Sequence, residues 1–453
     1  MTTRTVYAST VATLDSNVHS GGGSDVTGEL QEVLDMAQDG YGVRLIMDGA
    51  ALVTHLKVHS NTRIECLNKD CGFYQKDGAD DSIITNYHWA NNRISTRNIT
   101  LVGGTYNQNC AHQCHDRPLR DDEKGGPFEK WTFGLEFYGV EHLTIRDCIV
   151  RDFRTFAVTV GSFRNVTIEN VWLDLPGRMQ AWNQDGFHFW GPGQFLTVRN
   201  VGGKVGDDFM NIGPDEQDKV SSITDVLVDG VFLDDADQGV RLLSRGTGQL
   251  DRVTIRNVVG TYRSFGFYIN AWFPDVTCGE FGNILFENIN LKHTAPNYTF
   301  RPPILFSIGG KIRSLTFKNV HHSDPIDARA LFEIGLPFYA TPPEAIDDYE
   351  FAEGCNPVVD LFLLDGLTIL ENSDRSRGAE YIQVFGKIRH MIVKNVVALK
   401  DSGLSRSGHL IVLRKRADVD TALFRDIHAV GYEDLITGKE KVRKLIVKDV
   451  EEA

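Results

Sequence analysis

No stretch of this chain approaches the roughly 18 uninterrupted apolar residues that a membrane-crossing helix needs, so a membrane is not an expected partner. Long basic runs are missing too. The longest is Leu413-Arg414-Lys415-Arg416, and Asp plus Glu outnumber Lys plus Arg by 61 to 47, a net charge of −14. Such a chain repels phosphate backbones, which argues against nucleic acid and leaves neutral or cationic ligands. Cysteine is scarce and odd in number, seven in all, with only Cys66/Cys71 and Cys110/Cys114 close in sequence. An extensive disulfide framework is therefore not expected, and at most two local bridges are. The opening Met1-Thr2-Thr3-Arg4-Thr5-Val6-Tyr7 lacks the apolar core of a secretory signal, which leaves a cytoplasmic protein or a secreted one whose signal has been removed.

What the chain does have is repetition. After the loop Gly21-Gly22-Gly23-Ser24-Asp25, the residues Leu30, Val33, Leu34 and Ala37 recur at helical spacing, with Asp25 or Thr27 as N-cap and Gly40 as stop. This predicts one amphipathic helix over about 24–40, suited to covering the open end of a solenoid. From about residue 43 the period changes to two, and one phrase returns: a β-rich run, then Asn or Asp, then an apolar residue. It begins at Asn98, His142, Asn165, Phe195, Asp225, Arg252, Asn283, Ser314, Leu361, His390, Thr421 and Lys444. Most successive starts are 23 to 31 residues apart and two are 44 and 47 apart, which matches one coil per repeat of a right-handed parallel β-helix with two longer insertions. Propeller blades are longer and leucine-rich repeats carry a different code. The expected fold is all-β: a single-stranded right-handed parallel β-helix with an N-terminal capping helix, one domain over 1–453.

A second strand precedes each phrase. Stacking Phe133-Gly-Leu-Glu-Phe, Asp185-Gly-Phe-His-Phe, Asp208-Phe-Met-Asn-Ile, Gln238-Gly-Val-Arg-Leu and Phe265-Gly-Phe-Tyr-Ile assigns sides by alternation. Phe187/Phe189, Met210/Ile212, Val240/Leu242 and Phe267/Ile269 point inward. His188, Asn211, Arg241 and Tyr268 form an outward column, and Asp185, Asp208 and Gln238 share the leading edge of the strands. This predicts a polar outward patch centred on the coils at 165–260.

Within that patch three carboxylates gather. Asp185 and Asp208 on successive coils have backbones about 4.8 Å apart, with Asp207 displaced along the strand. Cleavage of a glycosidic bond needs one protonated carboxyl at the bridging oxygen and one carboxylate to activate water, roughly 6.5–9.5 Å apart when configuration inverts. Side chains splayed from adjacent coils span that separation, and crowding raises the pKa of at least one of them. The plainer alternative is that Gly206-Asp207-Asp208 and Asp185 are turn acids.

Asn183-Gln184-Asp185 and Gly206-Asp207-Asp208 resemble the Asn-Thr-Asp and Asp-Asp motifs of the polygalacturonase-type glycoside hydrolases, family 28, and the spacing between them is similar. The helix near Ser24–Gln38, the run Leu101-Val102-Gly103-Gly104-Thr105-Tyr106-Asn107 and the repeat phrase also resemble that family, so the likeness extends over most of the chain. The resemblance implies a right-handed β-helix that hydrolyses with inversion and without a cofactor, Asp207 as general acid and Asp185 and Asp208 as the groups that position and deprotonate water. The chain departs from the family on the next two coils. Asp237-Gln238-Gly239 stands for Gly-His-Gly, and Tyr268-Ile269-Asn270 for Arg-Ile-Lys. Without that Arg and Lys, which grip a galacturonate carboxylate, the resemblance implies a neutral sugar, or another cation such as Arg241 or Arg245 in their place.

Other residues extend the candidate site. His188 and Asn211, with Asn183, Gln238, Tyr268 and Asn270, are expected to contact substrate, His188 equally well supporting Asp185 instead. Trp182, Trp190 and Trp272 flank the same coils, where an indole face suits the C–H face of a sugar; core packing is the alternative for Trp190. Cys110, His112, Cys114 and His115 are metal-ligand types at no closed zinc spacing, so no metal is expected. Insertions up to Trp131 and at Pro337–Pro357 would close a groove into a pocket and favour cleavage from a chain end. Two other readings are a polysaccharide lyase of the same fold, and a β-helix that binds glycan without cutting it, as a phage adhesin does.

Overall fold

The computed structural model describes residues 2–452 apart from residue 40 and the segments 117–130, 178–180, 272–278, 296–302, 324–327, 329, 337–350, 352, 372–379, 402 and 404–407. The fold is a parallel β-helix, with ladders that run in parallel from coil to coil. Two compact units divide it, Met1–Asn211 and Ile212–Ala453. Among the described residues no helix is long and apolar enough to cross a membrane.

The repeat phrase has a conformational cause. Its first residue adopts a left-handed backbone at Asn98, His142, Asn165, Phe195, Asp225 and Arg252, and its last at Asp147, Asn170, Asn200, Asn257, Asn288, Asn319, Asn395, Asp426 and Asp449. The phrases at 142–147, 165–170, 195–200 and 252–257 are bracketed by such a corner at both ends. Asn and Asp tolerate that region better than other side-chain-bearing residues, which is why they punctuate the sequence. At the far corner their side chains also bond along the stack. Asn170 Nδ2 donates to Asp147 Oδ1 at 2.8 Å in the first unit; in the second, Asn257 donates to Asp229, Asn288 to Asn257 and Asn319 to Asn288 at 2.6, 3.0 and 3.1 Å.

Inside the coils the alternation predicted from sequence holds. In the first unit Leu135, Val158 and Phe187 occupy one rung position and Phe137, Val160 and Phe189 another, all fully buried. The second unit stacks aromatic rings along its axis: Phe267 on Phe306 at 4.6 Å, Phe306 on Phe332 at 4.9 Å, and Phe286 on Phe317 at 5.3 Å. Parallel coils put identical rung positions about 4.8 Å apart, close to the separation at which aromatic rings stack.

The capping helix spans Thr27–Asp35 and tightens into a 3-10 turn over Met36–Asp39, burying Leu30, Val33 and Leu34. Its N-cap position is Val26, not Asp25 or Thr27; Asp25 instead accepts the Thr27 N–H and hydroxyl from one residue further out. The expected stop, Gly40, lies outside the described residues. Gln31 shows how the helix covers the first coil. Its amide donates to the Lys57 carbonyl at 3.0 Å and accepts the Lys57 N–H at 2.8 Å, pairing backbone groups of the strand Leu56–Val58 as a neighbouring strand would. Of the cysteines, Cys66, Cys71, Cys110, Cys114 and Cys148 are free thiols, so neither local bridge forms, and Cys355 is disulfide-bonded.

Candidate active site

The three aspartates lie in the first unit, on two coils held against each other. The Gly186 N–H donates to the Asp208 carbonyl at 2.8 Å, which sets Asp185 beside Asp208 across the ladder. Gly186 is required there, because a Cβ at this position would come within 2.4 Å of the Phe209 carbonyl. On its other side the same turn is fixed by Ala157 N–H donating to the Asp185 carbonyl at 2.9 Å. Asp185 and Asp208 are buried, whereas Asp207 is half-buried.

Between them sits Gln184, which is fully buried. Its backbone carbonyl accepts the N–H groups of both Gly206 and Asp207, at 2.9 and 3.1 Å, so one atom ties the Asp185 turn to the Asp207-Asp208 turn. Its side-chain amide donates to the Phe153 carbonyl at 2.9 Å and to Cys110 Sγ at 3.4 Å, while its oxygen accepts the Ala181 N–H at 2.9 Å. Sequence reasoning missed this residue. It stood between Asn183 and Asp185 in the motif, but nothing in its spacing signalled that its backbone would bridge two coils.

His188 Nδ1 lies 3.1 Å from Asp185 Oδ2. Phe156 stacks on the imidazole at 4.0 Å and 11°, and Trp190 packs at its edge at 4.7 Å. The ladders align Thr85, Glu136, Thr159 and His188 on successive coils, and the register of Asp185 with Asp208 continues that row to Asn211. His188 and Asn211 therefore share one outward row, and Arg241 pairs with Tyr268 in the second unit, but outward is not exposed: the five side chains of the first unit's row are all buried. Phe133, Tyr138, Phe156 and Trp190 cluster over this face, with Trp89 and Trp131 packed against them. Glu136, which accepts the Ser82 hydroxyl at 2.6 Å, was readable from the alignment of Phe133-Gly-Leu-Glu-Phe with Asp185-Gly-Phe-His-Phe.

Several expectations are corrected. Trp190 is only 3% exposed and stacks on Tyr138 at 5.9 Å, across Gly161, where a Cβ would collide with the Tyr138 ring. It is a packing residue and offers no face to a sugar. Trp182 is the reverse, 70% exposed, on the turn that precedes half-buried Asn183 with its left-handed backbone. Trp272, residues 117–130 of the insertion up to Trp131, and residues 337–350 and 352 of the insertion at Pro337–Pro357 lie outside the described residues.

In the second unit, Gln238 and Arg241 are buried, and the Arg241 guanidinium stands 5.6 Å above the Tyr268 ring. Tyr268 is wholly buried with Leu243, Phe265 and Ile304, so it is no open sugar contact. Asn270 serves the backbone: its amide donates to the Leu336 carbonyl at 3.0 Å and its oxygen accepts the Ala271 N–H at 2.8 Å. Arg245 Nη1 donates to the Glu216 carbonyl at 2.9 Å, and its N–H, with those of Gly246 and Gly248, surrounds the buried Asp215 carboxylate.

The cysteine and histidine group does not converge. His112 faces Asp77 at 3.4 Å and His115 faces Asp116 at 2.7 Å, while burial, helped by nearby Asp152, pushes the Cys110 thiol up to about 11, where it keeps its proton at neutral pH. Among the described residues no three Cys, His, Asp or Glu side chains are arranged to hold a metal ion.

No protein-family model matches the sequence, and no curated protein matches it significantly. Solved structures do. A family 28 exopolygalacturonase of Yersinia enterocolitica superposes with a TM-score of 0.53 at 16% identity, covering 99% of this chain and 78% of that one. The N-terminal fragment of gene product 12 of bacteriophage Phi29 gives 0.57 at 12% identity, over 95% and 71%. The tailspike of Escherichia coli bacteriophage HK620, solved with a hexasaccharide, gives 0.53 at 9% identity, over 94% and 74%. At these identities the likeness is one of fold, and the chain is a right-handed parallel β-helix of the kind these three proteins share.

Proposed function

We propose that this chain is a glycosidase, a divergent relative of the polygalacturonase-type hydrolases that cleaves with inversion. The observation that carries the reading is the pairing of Asp185 with Asp208 across adjacent coils, with Asp207 beside them and one carbonyl, that of Gln184, bonded to the turn of the pair. Asp207, the least buried of the three, donates a proton to the bridging oxygen as the C–O bond breaks and its electron pair passes to that oxygen. Water held against Asp185 and Asp208 attacks the anomeric carbon from the opposite face and gives its proton to one of these carboxylates. His188, clamped by Phe156, fixes the rotamer of Asp185. The departures of the sequence from the uronate-gripping motif of that family, Asp237-Gln238-Gly239 and Tyr268-Ile269-Asn270, support a neutral sugar over a uronate.

The test is reducing-sugar release across a panel of neutral and uronic polysaccharides, with anomeric NMR of the first product. Asp207→Asn is expected to lower kcat at least about a hundredfold, the scale of a lost general acid, while binding persists. An unchanged rate removes Asp207 from its role, a product that retains configuration overturns inversion, and an unsaturated product absorbing in the ultraviolet points to a lyase.

A further inference from the structure

Single exposed apolar side chains are ordinary on protein surfaces. Trp182 is not ordinary in its setting. It is the most exposed large apolar side chain among the described residues, three positions from Asp185, and its turn is pinned. Ala181 N–H is held by the Gln184 side-chain oxygen, Gln184 in turn by the Phe153 carbonyl, and Asn183 takes a left-handed backbone that turns the chain between them. The same Gln184 carries the turn of Asp207 and Asp208 on its backbone carbonyl. A large indole is thus presented to solvent on a fixed pedestal that shares its anchor with the three carboxylates. Three residues reach at most about 11 Å, so anything lying on the indole is registered against Asp185.

We infer that Trp182 is a carbohydrate-binding platform, on which the apolar C–H face of a pyranose ring of the glycan chain stacks to set its position relative to the three aspartates. The proposal rests on the glycan-directed reading above. The ligand class follows from the surface: a flat, apolar face with a polar N–H edge, open to water, matches a ring that is apolar on its faces and hydroxylated around its rim. No charge is needed, in keeping with a neutral sugar. The backbone beneath the indole is held before binding, so that part of the turn loses little freedom when the sugar arrives.

The experiment is native electrophoresis of the full chain through gels containing polygalacturonate, galactan or xylan, comparing wild type, Asp207→Asn, Trp182→Ala and Trp182→Phe. Wild type and Asp207→Asn are expected to be retarded by at least one polymer. Trp182→Ala should bind it roughly tenfold or more weakly, with Trp182→Phe between them. Because the indole is solvent-exposed, Trp182→Ala should keep the wild-type melting temperature, which separates lost binding from lost folding. Equal retardation of Trp182→Ala and wild type overturns the proposal, as does retardation of wild type by none of the polymers. Loss of retardation in Trp182→Ala, alongside an Asp207→Asn variant that still cleaves, keeps the platform and removes the acid assignment instead.

Discussion

Gln184 shows how much one side chain can decide. It is uncharged, yet buried against the Phe153 carbonyl, the Ala181 N–H and the Cys110 thiol, with two further N–H groups on its own carbonyl. Truncating it to alanine leaves the backbone bonds but strands the buried Phe153 carbonyl, at about 1–3 kcal/mol, and the half-buried Ala181 N–H, at less. Gln184→Ala is therefore expected to lower the unfolding free energy by about 2–4 kcal/mol, read as a shift in denaturant midpoint at unchanged slope. Gln184→Glu should be at least as damaging, since it points an acceptor at the Phe153 carbonyl and buries a charge. Midpoints equal to wild type in both variants would show that the amide is not holding the turn. The site was legible at this scale only in part. Three aspartates at matched repeat positions could be read from the motif; Gln184, whose importance lies in its backbone, could not.

At the scale of the element, the corner is the unit of design. Asn288 combines a left-handed backbone, φ 56°, with two ladder bonds, one to Asn257 and one from Asn319. Asparagine already carries a Cβ into the left-handed region and offsets the cost, about 1–2 kcal/mol, by side-chain hydrogen bonding; an alanine keeps that cost and loses both bonds. A glycine loses the bonds but escapes the strain. Asn288→Ala is expected to destabilise by about 2 kcal/mol and Asn288→Gly by about half as much, measured by chemical unfolding; the reverse order would mean that the side-chain ladder and not the backbone selects asparagine. The coils and their core columns were readable in the sequence because period-two alternation and a recurring phrase report backbone geometry directly. What covers a column from outside was not. Trp190 is buried by Phe133, Tyr138 and Phe156, and Asn270 is taken up by Leu336, sixty-six residues on. No local pattern announces partners brought together from separate coils, so alternation gives the side of the sheet but not its exposure.

At the scale of the whole molecule, buried titratable groups couple stability to pH, and they pull in opposite directions. Burial pushes the Asp152 and Asp215 carboxyls up from 3.8, so the folded chain keeps protons there that the unfolded chain has already released, and stability from these two falls as pH rises through that window. His322 acts the other way. It is fully buried, 3.0 Å from the Tyr262 hydroxyl, and burial, followed by the neighbouring His293 and His321, depresses its imidazole from 6.5 to about 3. Between those values the unfolded chain binds a proton that the folded chain refuses, so stability is lost as pH falls below about 6.5 and the loss continues to about 3. One proton of difference is worth about 1.4 kcal/mol per pH unit. Unfolding free energies measured at intervals from pH 7 to 4.5 should therefore fall more steeply in wild type than in His322→Asn, by about 1.4 kcal/mol per unit once below pH 6, whatever the offset between the two proteins at pH 7. Parallel curves would mean that His322 protonates in the folded chain as readily as in the unfolded one, and that the acid sensitivity of this β-helix arises elsewhere.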